Sequence, residues 1–257
     1  MALIHCDFFS QVLGLHSSMY VILPEKKDAM HDGGARASYP TLYLLHGLSD
    51  DHSAWLRQTS IERYVRETQL AVVMPAVNRS FYTDMAHGLR YFTFISEELP
   101  AIARSLFPLS NRREENFVAG LSMGGYGALK LALRHPDRFS AAASLSGAVD
   151  VARIAIESAE FANVYQDVHS ISGSDDDLFE LLNQVVRSDQ PLPKLFACCG
   201  TEDFLHGDNQ RFLQHAKTLG VDITYEEEPA KHVWSYWDKE IQHVLKWLPI
   251  DLSQSDM

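Results

Sequence analysis

Cysteine is scarce in this chain: Cys6, Cys198 and Cys199 are the only three among 257 residues. Three thiols at that spacing exclude a disulfide framework and a zinc knuckle, and the adjacent pair, set in an apolar run, reads as buried strand. Positive charge is short as well. Against 34 Asp and Glu stand 22 Lys and Arg, a formal charge of −12 with no basic run, so a nucleic-acid partner is excluded. No apolar stretch approaches the length of a membrane-spanning helix, so no membrane partner is expected. Met1–Asp7 lacks a basic region leading into an apolar one, so no signal peptide is read and a cytoplasmic location is expected. There is no repeat, no low-complexity tract and no H-E-x-x-H. His46, His52 and His87 lack carboxylate partners at ligand-like spacing, so no metal is expected.

What remains is an ordinary globular composition, 46% hydrophobic and 22% charged, with a length that suits one domain over residues 1–257. Apolar segments around Phe9–Val12 and Met19–Leu23 suggest an opening hairpin, and the polar stretch 25–38, with Gly33-Gly34, reads as an exposed loop. Buried strands are expected at 39–45, 70–75, 116–119, 140–146, 192–200 and 222–226, and helices at 61–67, 94–107 and 125–135. Residues 151–190 read as irregular and acidic, a small cap-like insertion. Short apolar strands alternating with helices argue an α/β fold, a mostly parallel central sheet with helices on both faces. Ligands of such sheets sit beyond the carboxyl ends of the strands, where His46-Gly47 and Ser122 fall.

The pentapeptide Gly120-Leu121-Ser122-Met123-Gly124 has the G-x-S-x-G form of a nucleophile elbow, a strained strand-to-helix turn that presents a serine hydroxyl. Alone the pattern is weak. Its flanks strengthen it: a short apolar run precedes it, and an Ala- and Leu-rich segment with small residues Gly125, Gly127 and Ala128 follows, ending in basic residues before Pro136.

A serine hydroxyl needs a base, and the base an orienting acid, in the chain order Ser, Asp or Glu, His. Glu202 and Asp203 follow a late strand directly. Asp203 is favoured because Glu202 comes sooner after Gly200 and is expected to face solvent, with Asp208 a third candidate. His232 lies between the last strand and the final helix, where the base belongs. His206 shares the acid's loop, and His215 and His243 fall in helical stretches. The backbone N–H groups of Met123 and Leu48 are the expected oxyanion donors, with Gly47 allowing close approach and His46 bracing the turn. Trp55, Phe81, Tyr82, Phe92 and Trp234 are candidates to wall the substrate site.

With these residues placed, the chain resembles the esterase D group of α/β-hydrolases, most of all the short tributyrin or acetyl esterases of Gram-positive bacteria. The likeness rests on Leu42–Gly47, Val72–Pro75, Tyr82–Asp84, Glu97–Pro100, Ala119–Gly127, Cys199–Leu205, His232–Trp237 and Leu248–Asp251. It implies an α/β-hydrolase fold, a cofactor-free serine esterase of short acyl esters including acetylated sugars, the triad Ser122, Asp203 and His232, and a homo-oligomer. S-formylglutathione hydrolases of the wider group carry Thr-Cys after His-Gly-Leu, whereas Ser49-Asp50 stands here. A thioesterase, an acyltransferase and a catalytically inactive binding protein on the same fold are the rival readings. The last usually lacks part of the triad.

Overall fold

The computed structural model describes residues 1–25, 38–66 and 68–250. The 25–38 loop lies, but for its two ends, outside the described residues. Eight strands form one sheet in the order β1-β2-β4-β3-β5-β6-β7-β8. They are β1 Ala2–Ser10, β2 Leu15–Leu23, β3 Thr41–Leu45, β4 Ala71–Pro75, β5 Asn116–Leu121, β6 Ala141–Leu145, β7 Lys194–Cys198 and β8 Ile223–Glu226. β1 pairs antiparallel with β2, and β2 antiparallel with β4; every pair from β4 to β8 is parallel.

The five-residue strands β3, β4 and β6 are buried along their whole length, which explains their unbroken apolar sequence. Side chains alternate between two cores. Leu42, Leu44, Val72 and Phe117 face one side, packed with the helices α1 Ala54–Gln58, α2 Ile61–Tyr64 and, late in the chain, Trp234–Trp247. Tyr43, Leu45, Val73 and Val118 face the other. That side is covered by α3 Tyr91–Thr93, which runs through a π-helical turn at Phe94–Glu98 into α4 Leu99–Leu106, and by α5 Met123–Arg134. After them come α6 Val151–Glu157, α7 Leu178–Arg187, α8 His206–Thr218 and the Trp234–Trp247 helix, α9.

Two expectations need correction. The opening hairpin is longer than the apolar segments implied: β1 begins at Ala2, and residues 11–14 form the turn, closed by Gly14 at φ 68°. An edge strand open on one face alternates half-buried and exposed residues, which blurred its apolar signal. Residues 151–190 are also more regular than expected. α7 buries Leu178, Leu181, Leu182 and Val185 at helical spacing and is capped by the Asp177 carboxylate, which accepts from Phe179 N–H at 2.9 Å. The acidic residues around it are caps and ion-pair partners rather than a sign of irregular chain. Residues 172–177 contain no helix or strand.

Candidate active site

β5 stands at the centre of the sheet between β3 and β6, so the loops after β3, β5, β7 and β8 open on the same edge. Ser122 is the residue between β5 and α5. Its φ of 53° and ψ of −118° lie where an L side chain is strained, at a cost of about 1–3 kcal/mol. Hydrogen bonds hold it there: its N–H donates to the Leu145 carbonyl at 2.9 Å, and its carbonyl accepts from Tyr126 and Ala148 N–H at 3.1 Å each. The two framing glycines are required by space. A Cβ on Gly120 would collide with the Gly124 carbonyl, and one on Gly124 would lie 2.5 Å from the Leu45 carbonyl oxygen and 2.7 Å from that of His46.

Ser122, His232 and Asp203 meet. The Ser122 hydroxyl lies 3.0 Å from His232 Nε2, and His232 Nδ1 lies 2.8 Å from Asp203 Oδ2. Asp203, just after β7, is fully buried, and its other oxygen accepts from Leu205 N–H at 2.9 Å. Burial pushes the Asp203 carboxyl up, but the hydrogen bonds from His232 and Leu205 outweigh it and hold the group below the usual carboxylate range. The imidazole therefore has a fixed carboxylate on Nδ1 and presents Nε2 to the serine.

The alternatives are engaged elsewhere. Glu202 is exposed, and Asp208 is buried between Arg153, 2.5 Å away, and Arg211. His206 lies 3.0 Å from Glu227, His215 3.0 Å from Asn183 Oδ1, and His243 2.6 Å from Glu226. His206 opens α8 rather than lying in the acid's loop.

His46 is a buried brace. Its Nε2 accepts from Val77 N–H at 3.1 Å, and its Nδ1 donates to the Gly47 carbonyl at 2.7 Å, a pattern that requires the neutral ring. Burial pushes its pKa down to about 4 against that last bond, so the ring stays neutral as the solution acidifies. It holds the turn that brings Leu48 to the cleft beside Ser122. Leu48 N–H has no hydrogen-bond acceptor among the described residues. Met123 N–H is the first of α5, so the helix offers it no carbonyl partner, and the helix dipole adds positive potential there.

The cleft, about 470 Å³, is lined by Gly47–Asp50, Leu121, Ser122, Phe204, His232–Trp234 and Trp237. Of the five aromatic candidates only Trp234 is among them. Trp55 is buried behind it, donating to the Leu45 carbonyl and packed edge-on against Trp234 at 5.2 Å. Tyr82 is core, its hydroxyl donating to the His46 carbonyl at 3.0 Å. Phe81 is buried against Phe161, and Phe92 packs under Lys130 and Arg134. Sequence reasoning missed Phe204 and Trp237, whose rings flank the His232 imidazole at 4.7 and 4.8 Å. Phe204 is 74% exposed, and its place directly after the acid was the available signal. None of the lining residues comes from 151–190.

The model of the Esterase family matches residues 10–248. The chain belongs to that family. It is 32% identical to an acetyl esterase of Caldicellulosiruptor saccharolyticus, over 96% of this chain and 98% of that one. Two solved structures from Staphylococcus aureus are each 37% identical over 96% of this chain and 98% of theirs. They are the fluorophosphonate-binding serine hydrolase FphF with substrate bound, at a TM-score of 0.90, and the S-formylglutathione hydrolase FrmB, at 0.89. The chain has the α/β-hydrolase fold and is a carboxylic ester hydrolase of the serine class.

The elbow's steric demand is directly testable. Gly124→Ala should overpack the turn by about 1–3 kcal/mol, lowering Tm by about 2–12 °C. By displacing the Leu45–His46 backbone it should also cut kcat/KM on p-nitrophenyl acetate. Unchanged melting and turnover would contradict the packing described.

Proposed function

We propose that Ser122, His232 and Asp203 are the nucleophile, base and orienting acid of an esterase for short acyl esters, acetyl esters foremost. The unbroken hydrogen-bonded line from Ser122 Oγ through the imidazole to Asp203 carries this reading. His232 Nε2 takes the hydroxyl proton as Ser122 attacks the ester carbonyl, and the N–H groups of Leu48 and Met123 hold the oxyanion. The imidazolium gives that proton to the leaving alcohol. Water then repeats the attack on the acyl-serine, releasing the acid and restoring the hydroxyl. Phe204, Trp234 and Trp237 wall the substrate. The likeness to an acetyl esterase supports the acyl preference.

A second reading, thioester hydrolysis as in S-formylglutathione hydrolases, is favoured by the likeness to FrmB. Asp50 speaks against it. This acid lines the cleft where those enzymes usually have cysteine, and its carboxyl would repel the carboxylates of a glutathione thioester. Partial burial pushes that carboxyl up, against the hydrogen bond at Gly47. A neutral acetylated sugar meets no such repulsion.

We further propose a homo-oligomer, supported by the family resemblance and by Leu3, Phe9 and Leu15, exposed on the β1–β2 edge. A cytoplasmic location is supported by three free thiols, and among the described residues no helix is long and apolar enough to cross a membrane.

Ser122→Ala should abolish turnover of p-nitrophenyl acetate without changing the melting curve; full activity would refute the mechanism. Asp203→Asn should cut kcat by about 10⁴-fold, because the imidazole loses its fixed tautomer. Finally, kcat/KM for acetylated xylose should exceed that for S-formylglutathione, and Asp50→Ser should narrow the gap; the reverse order would favour the thioester reading.

A further inference from the structure

Beyond the cleft, the loop that carries His232 has a second polar cluster at its base. β8 ends at Glu226, residues 227–233 form the loop, and α9 starts at Trp234. Within α9, Glu240 and His243 are three residues apart and share one face, turned toward Glu226. His243 Nδ1 lies 2.6 Å from Glu226 Oε2 and 3.6 Å from Glu240 Oε2, and one donor atom from each of the three lies within 4.8 Å of the others.

Glu240 makes this more than a surface ion pair. Its side chain is only 3% exposed, and the Oε2 that faces His243 has no hydrogen-bond partner among the described residues. A buried carboxylate oxygen with no donor is costly, and burial accordingly pushes this carboxyl up. The surroundings offer little relief. Lys239, on the same helix, is taken by Glu228, and the buried Cys198 thiol, within reach of both Glu240 and the Tyr236 hydroxyl, is only a weak donor. A divalent cation would balance both carboxylates at once.

We propose that Glu226, Glu240 and His243 bind one divalent transition-metal ion of the zinc class, which ties the end of β8 to α9 across the His232 loop. Zinc bonds of about 2.1 Å place tetrahedral donors about 3.4 Å apart. Side-chain rotation meets this by opening the Glu226–His243 distance and slightly closing that from Glu240 to His243. One imidazole and two carboxylates suit zinc, whereas Mg²⁺ and Ca²⁺ favour oxygen donors alone. Glu226 and His243 are partly exposed, which gives the ion a route in and water a place in the fourth position. None of the three lines the Ser122 cleft, so the ion would hold the loop rather than enter the reaction.

The test is calorimetric titration of ZnCl₂ into the chelator-stripped full-length protein, with melting curves in Zn²⁺ and in Mg²⁺. One zinc ion per chain should bind at micromolar or tighter affinity and raise Tm, as a ligand specific to the folded state must, with Mg²⁺ giving no comparable rise. Glu240→Gln should weaken binding at least about tenfold, no less than loss of a group that merely supports a ligand. Because that buried change endangers folding, the partly exposed His243→Gln serves as the second variant with the same expectation. His232→Gln should keep the parent affinity. Absent zinc binding, undiminished binding in His243→Gln, or loss of binding in His232→Gln would each overturn the proposal.

Discussion

The strained backbone of Ser122 is the constraint on which the rest of the site depends. A positive φ at a non-glycine residue persists only where its surroundings over-determine it. Here they do: β6 takes its N–H, and the first turn of α5 and the chain after β6 take its carbonyl. The turn is sharp enough that Gly120 and Gly124 nearly touch and that the Leu45 and His46 carbonyls press against Gly124. That same crowding sets the loop after β3 beside the serine, so the strain at Ser122 and the placement of Leu48 in the cleft share a cause. His46 completes the link. Buried and neutral, it ties the loop to the chain after β4 through Val77.

Electrostatics divide the histidines by what burial and partners allow. His46 has backbone partners and no carboxylate, and burial keeps it uncharged. His232 has a buried, low-pKa carboxylate on one nitrogen and a hydroxyl on the other, the arrangement that can accept a proton and hold it. The aromatic rings of Phe204 and Trp237 restrict solvent around it. The proposed chemistry falls to His232, which has a carboxylate partner, and not to His46, whose ring is held by backbone groups.

The sequence was most legible where steric demand fell on consecutive residues. Gly120–Gly124, the fully buried strands and the order Ser122, Asp203, His232 each left a local pattern, and the structure brings these residues together. The aromatic wall was not legible. Trp55 and Trp234 look alike in sequence, yet one is buried behind the other, and only the packing of α1 against α9 decides which meets the cleft. α7 was hidden because its amphipathic stripe is flanked by acidic residues that serve as Asp177 cap and as partners of Lys130 and Arg134. β1 was shortened in the reading because an edge strand carries half the apolar signal of a central one.

The proposed mechanism makes Ser122, and no other serine, the activated nucleophile. Incubation with a fluorophosphonate followed by peptide mass spectrometry tests it most directly. One label per chain is expected, on the peptide carrying Ser122, with the covalent bond at its hydroxyl oxygen. An unlabelled protein, or a label on a different serine, would contradict it.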